Sequence, residues 1–87
     1  MNKKKLLQKV LSGTRNLRFE EARVLVEAFG FRLQRVSGSH HIFVHPDVDK
    51  LVNLQEVGGQ AKLYQIKQLL RIVEQYRLQL DQGDDDE

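Results

Sequence analysis

The sequence predicts a small α+β domain of two layers, in which helices cover one face of a three-stranded antiparallel sheet. Three observations lead to this fold class. Two segments with helical spacing come first, short segments separated by turn residues lie in the middle, and one long amphipathic segment follows. The predicted order is α-α-β-β-β-α, in one domain over residues 1–80 with an extra N-terminal helix, because 87 residues suffice for one modest core.

The first two helices are predicted from apolar residues that recur every three or four positions. Lys3 to Leu11 forms the first, and Phe19 to about Phe29 forms the second. Glu20 and Glu21 lie in the first turn of the second helix, where their charges complement the helix dipole. Gly30 follows as a residue that adopts positive φ at no steric cost.

Three short strands and one long helix are predicted after Gly30. Simple alternation along the first strand places Arg35 on one face and Arg32 on the other. The turn Ser37-Gly38-Ser39 leads to the second strand, where His40 and His41 face opposite sides, although both faces are too mixed to show which is buried. The expected bounds are Phe31 to Val36, His40 to His45 and Leu51 to Leu54 for the strands, Pro46 to Lys50 for a turn, Glu56 to Gln60 for a loop, and about Ala61 to Leu80 for the helix.

The charge distribution favours a polyanionic partner. The net charge is +2, but residues 81–87 hold five acids and no base, which leaves 14 basic and 7 acidic residues elsewhere. A basic body of this kind suits RNA or DNA, although a well-solvated surface explains the same charge about equally well. The acidic tail is expected to be disordered because it lacks apolar residues. It could also shield the basic face.

The absence of cysteine excludes disulfides and thiolate metal sites. The basic start of the chain precedes an apolar run too short for a signal peptide, and no stretch approaches the length of a membrane span. A cytoplasmic protein is therefore expected.

All three histidines fall in the predicted second strand, and three interpretations follow. Metal binding is disfavoured because His41 and His45, on one strand face, would lie roughly 13 Å apart. Structural half-buried positions are favoured for these two. General acid–base catalysis suits His40, because imidazole titrates near neutrality and RNA carries its own nucleophile in the 2′-OH. His40 follows a glycine turn, and four cations are near enough in the chain to contact phosphate: Arg32, Arg35, Lys50 and Lys62.

The segment Gly38-Ser39-His40-His41-Ile42-Phe43, preceded by Gly30-Phe31 and followed by His45-Pro46-Asp47, resembles the HicA toxin family of bacterial toxin–antitoxin systems. The family motif has the form Gly-Ser/Gly-His-x-x-Phe/Tyr on the strand after the first turn. The resemblance covers about Phe19 to Tyr76. The third strand lacks the family's Val-Pro-like segment, and the last helix lacks its Pro-Gly-Thr-type entry.

The resemblance implies a fold like that of double-stranded-RNA-binding domains and a metal-independent endoribonuclease that needs no cofactor. Its substrate would be mRNA, and its partner a HicB-like antitoxin that covers the site. His40 would be the catalytic residue, with Gly38 and Ser39 as the turn that presents it. The sequence does not identify the acid that protonates the leaving group. His45 is the nearest candidate by chemical type, although it lies on the other face of the strand from His40.

Two other functions stay open at the level of sequence. A non-catalytic RNA-binding module would use the sheet face and basic helix ends to hold phosphates, with passive histidines. A protein-interaction domain would use the apolar residues Ile42, Phe43 and Val44 against a partner.

Overall fold

A computed structural model describes residues 2–81 of the chain and shows three helices and a four-stranded antiparallel sheet. The α+β prediction is confirmed, and the helix–three strands–helix core of the double-stranded-RNA-binding-domain-like fold is present. The elements are α1 (Lys3–Leu11), α2 (Phe19–Ala28), β1 (Arg32–Ser37), β2 (His40–His45), β3 (Val48–Val57), β4 (Gln60–Ala61) and α3 (Leu63–Tyr76). The strand order in the sheet follows the order in the chain.

The hydrophobic core lies between the helices and one face of the sheet. Phe43 of β2 and Leu54 of β3 are completely buried there, and Phe31 at the entry to β1 is almost so. Residues of α2 and α3 cover them, namely Ala22, Leu25, Val26, Ile66 and Leu69. Burying apolar side chains of this size stabilises the fold by about 1.5–3 kcal/mol each, so this face of the sheet is fixed against the helices.

The additional helix α1 is held to the domain by charge as well as by packing. Its buried Leu6 belongs to the core, and the Lys9 ammonium lies 3.1 Å from the Glu21 carboxylate of α2. The Arg18 backbone N–H also donates to Glu21, closing the first turn of α2. Burial raises the pKa of Glu21, but the Arg18 N–H and the Lys9 ammonium outweigh it and hold that pKa below its usual value.

The sheet is larger than the sequence predicts. The third strand extends from Val48 to Val57 rather than from Leu51 to Leu54, so only Pro46 and Asp47 remain in the preceding turn. Residues 56–60 are not a loop, because Glu56 and Val57 pair with β4 across a tight Gly58-Gly59 turn. These backbone pairings leave no signal in side-chain alternation, which explains why they were missed.

Helix α3 ends four residues before the predicted Leu80. Arg77 adopts a left-handed conformation with φ of 54°, and the Leu78 N–H donates to the Val73 carbonyl at 3.0 Å. This is the hydrogen-bond pattern of a Schellman cap, here without the usual glycine. The Asp81 N–H then donates to the Ala28 carbonyl at 2.7 Å, so the tail begins in contact with α2. The predicted disorder of the remaining tail concerns residues 82–87, which lie outside the described residues.

Within residues 2–81, no helix combines the length and the apolar character that crossing a membrane requires.

Candidate functional site on the open sheet face

The face of the sheet opposite the core carries His40. Residues opposite one another in antiparallel strands share a face, and His40 pairs with Ser37 of β1 and Gln55 of β3. We call this surface the open face and define it by Arg32, Arg35, Ser37, His40, Ile42, Val44, Asn53 and Gln55. His40 lies at the start of β2 and is half-buried.

A two-residue turn presents His40. Gly38 and Ser39 alone connect β1 to β2, and Gly38 has a φ of 60°, the positive value that a type II′ hairpin requires at its first loop residue. The Glu56 N–H donates to the Ser39 carbonyl at 3.1 Å, which ties the turn to β3. The turn is therefore short and anchored, and Gly38 has no atom within 4 Å of the position a Cβ would take.

Two arginines lie on the open face because β1 contains a bulge. Leu33 pairs with Phe43 and Arg35 pairs with Ile42, so Gln34 is the extra residue. The bulge reverses the alternation, and the prediction that Arg32 and Arg35 face opposite sides is wrong: both share the face of His40. Arg35 is a diagonal neighbour of His40, at about 7–8 Å between their backbones. No carboxylate among residues 2–81 pairs with Arg35, whose guanidinium contacts only the Gln34 amide at 3.4 Å.

The other two predicted cations differ in their distance from His40. Lys62 follows Ala61 of β4 at the same end of the sheet, two strands from His40 or about 10 Å across. Lys50 lies at the other end of β3, and its ammonium donates to the Gln75 side chain of α3 at 2.9 Å. The structure therefore does not bring Lys50 to the open face beside His40.

His41 and His45 point to the helix side of β2, with Phe43 between them. The His41 ring contacts Phe19, with 4.5 Å between ring centroids. The His45 ring meets the edge of Phe31 at 5.1 Å, and its Nδ1 accepts the Asp47 N–H at 3.0 Å. These are structural positions, and His45 is remote from His40 by about 17 Å along the strand, on the opposite face.

Asn53 is a neighbour of His40 that the sequence did not indicate. It pairs with Ile42 on the open face, and its Oδ1 lies 3.3 Å from Nδ1 of His40. No motif marks an asparagine in a strand thirteen residues away, so only the strand register could have revealed it.

A cleft of about 450 Å³ opens beside His45, Tyr76 and Arg77, at the end of β2 opposite His40. Among residues 2–81, no three histidine or acidic side chains converge as a metal site requires. Phe43 is fully buried, so it is not available to the protein-interaction surface considered from sequence. The residues of the open face range from exposed to half-buried, so this surface is accessible to an extended ligand.

Comparison with known families places the chain in a family of toxins. The family model described as HicA toxin of bacterial toxin–antitoxin systems matches residues 19–75, which comprise α2, the whole sheet and nearly all of α3. No curated protein and no solved structure is significantly similar to the chain. The family match covers well over half of the sequence and includes the Gly38-Ser39-His40 turn. The chain therefore belongs to the HicA family, the toxins of bacterial toxin–antitoxin systems.

Proposed function

We propose that the protein is a metal-independent endoribonuclease that cleaves mRNA in the cytoplasm and thereby blocks translation. The single observation that carries the proposal is the position of His40. It is a half-buried imidazole on an open sheet face that it shares with Arg32 and Arg35. A base and neighbouring cations, which among residues 2–81 have no carboxylate partner, are what RNA cleavage by its own 2′-OH requires.

The proposed reaction is an internal transesterification. His40 removes the proton from a ribose 2′-OH, and the 2′-oxygen forms a bond to the adjacent phosphorus as the bond from phosphorus to the 5′-oxygen breaks. The products are a 2′,3′-cyclic phosphate and a 5′-OH, and no oxidant or cofactor takes part. The side chains beside His40 are Ser37, Asn53, Gln55 and Arg35, none of which donates a proton readily near neutral pH. The leaving 5′-oxygen therefore takes its proton from water.

Arg35 is the cation best placed to stabilise charge that develops on the phosphoryl oxygens. It lies diagonally across from His40, and its exposed side chain is long enough to bring the guanidinium group close to the imidazole. Arg32 and Lys62, which lie farther along and across the sheet, would hold neighbouring phosphates. A polymer bound along such a surface needs no enclosed pocket.

The experiment compares three purified chains with a single-stranded RNA substrate. His40→Ala should remove cleavage and growth arrest on expression while its melting temperature stays near that of the parent. His45→Ala, which removes the imidazole at the far end of β2, should retain cleavage at a temperature well below its melting point. Equal activity of His40→Ala and the parent would overturn the assignment. RNA binding by the parent with no product after long incubation would favour the RNA-binding module instead.

As a toxin of a toxin–antitoxin system, the protein is expected to have an antitoxin partner. We propose that a HicB-like antitoxin covers the open face and so keeps RNA from His40. Hydrogen exchange of the complex should then show protection in β1 and in the Gly38-Ser39 turn. Protection confined to α3, with RNA cleavage unaffected, would contradict this mode of inhibition.

A further inference from the structure

The His40 ring has one hydrogen-bond partner among the described residues. Its Nδ1 lies 3.3 Å from the Oδ1 atom of Asn53, which is diagonally placed on β3. Both side chains are half-buried, so the contact is partly shielded from competing water. Nε2, the other ring nitrogen, has no such partner in residues 2–81.

The chemistry of this contact bears on the position of a proton. With Oδ1 facing the ring, a hydrogen bond forms only if Nδ1 of His40 carries the hydrogen, because an amide oxygen only accepts. A neutral imidazole has a single N–H, and the lone pair is therefore on Nε2. A free histidine side chain prefers the opposite tautomer, in which the hydrogen is on Nε2. In that tautomer Nε2 has no lone pair available and cannot accept a proton.

We propose that Asn53 is a positioning residue that holds His40 in the Nδ1–H tautomer and so presents the Nε2 lone pair to the ribose 2′-OH. The effect on catalysis rests on the proposed ribonuclease function. The tautomer itself is a property of the free protein. In this proposal Asn53 acts through the imidazole.

Two substitutions test this hydrogen bond. In Asn53→Asp both side-chain oxygens are acceptors, so the bond from Nδ1–H persists. If the amide NH₂ group of the parent faced His40 instead, it would donate to Nδ1, and the ring of the parent would carry its hydrogen on Nε2. Asn53→Ala removes the contact in either case. Gln55→Ala is a matched control, because Gln55 lies opposite His40 without a hydrogen bond to its ring.

The first measurement is the nitrogen-15 NMR spectrum of the His40 ring in the full chain without RNA, above pH 7.5. The parent, Asn53→Asp and Gln55→Ala should show the Nδ1–H tautomer, and Asn53→Ala should show a shift toward Nε2–H. An Nε2–H tautomer in the parent would overturn the proposal. So would Asn53→Asp behaving as Asn53→Ala, or Asn53→Ala keeping the tautomer of the parent.

The second measurement is RNA cleavage by the parent, Asn53→Ala and Asn53→Asp. Asn53→Ala should lower kcat by about tenfold, the effect of losing one hydrogen bond that orients a base, with little change in KM. Asn53→Asp should keep kcat within about threefold while KM rises, because its charge repels phosphate. An Asn53→Ala enzyme with the kcat of the parent would overturn the proposal. Absence of cleavage by the parent, with the expected NMR spectra, would overturn the nuclease function and leave the tautomer assignment supported.

Discussion

Gly30→Ala tests how the start of β1 is held against the end of β2. Gly30 has a φ of +97°, and a Cβ added to it would lie 2.8 Å from Nε2 of His45. The His45 ring is itself fixed by the Phe31 edge contact and by the Asp47 N–H. The substitution therefore introduces backbone strain and displaces an anchored ring.

The two effects can be estimated separately. A left-handed backbone costs an L-residue about 1–2 kcal/mol, partly offset by about 0.4–1 kcal/mol because alanine has less freedom than glycine in the unfolded chain. Displacing His45 loses one hydrogen bond, about 1 kcal/mol, and one aromatic edge contact, about 0.5–1.5 kcal/mol. Gly30→Ala should therefore lower the free energy of unfolding by about 2–4 kcal/mol.

Urea denaturation of the parent, of the single variants Gly30→Ala, Gly13→Ala and His45→Ala, and of one double variant separates the clash from the strain. Gly13→Ala is the matched control, because Gly13 has a similar φ of +89° with no atom within 4 Å of the position that an alanine Cβ would take, and it should lose only about 1 kcal/mol. Adding His45→Ala to Gly30→Ala should give a combined loss about 1–2 kcal/mol smaller than the sum of the single losses. Equal losses for Gly30→Ala and Gly13→Ala would refute the reasoning.

Three further predictions concern charge and hydrogen bonding. Because the folded-state pKa of Glu21 is depressed, its contribution to stability is present above the unfolded pKa of about 4.3 and is lost as pH falls through the folded value. Glu21→Gln should therefore flatten the decline in melting temperature below pH 5, and an unchanged decline would contradict this. The hydrogen bond to Asp49 raises the pKa of the Tyr76 hydroxyl, so Asp49→Asn should lower the titration midpoint of Tyr76 measured by NMR. Arg35→Gln should reduce the slope of log K against log salt concentration for single-stranded RNA binding by about 0.7. Lys50 contacts α3, so Lys50→Gln should change that slope much less.

The sequence was sufficient for the elements that follow from local spacing. Helix α1 and strand β2 have the predicted bounds. An apolar stripe and a glycine-containing turn are local signals, so they can be recognised without knowing which elements pack against them. The short motif around Gly38 and His40 was likewise enough to indicate the family. The residues that flank this motif, Gly30 and His45, have a structural explanation that the sequence did not supply: they are in contact.

The parts that sequence missed depend on partners that are distant in the chain. Strand β4 exists because its backbone pairs with Glu56 and Val57, and alternation does not record such pairing. The bulge at Gln34 is visible only in the register between β1 and β2. A one-residue slip reverses which side chains share a face, so no reading of β1 alone could place Arg32 with Arg35.

The sequence by itself determined the class of fold, the family and the one imidazole on which the proposed chemistry depends. The tertiary structure alone decided the surroundings of that imidazole: which arginines share its face, which lysine is turned away, and that Asn53 contacts its ring. The physical reason is that residue type and local spacing set secondary structure, whereas a site on a sheet is assembled across strands. Its composition follows from hydrogen-bond register, which belongs to the pairing of strands and not to any one of them.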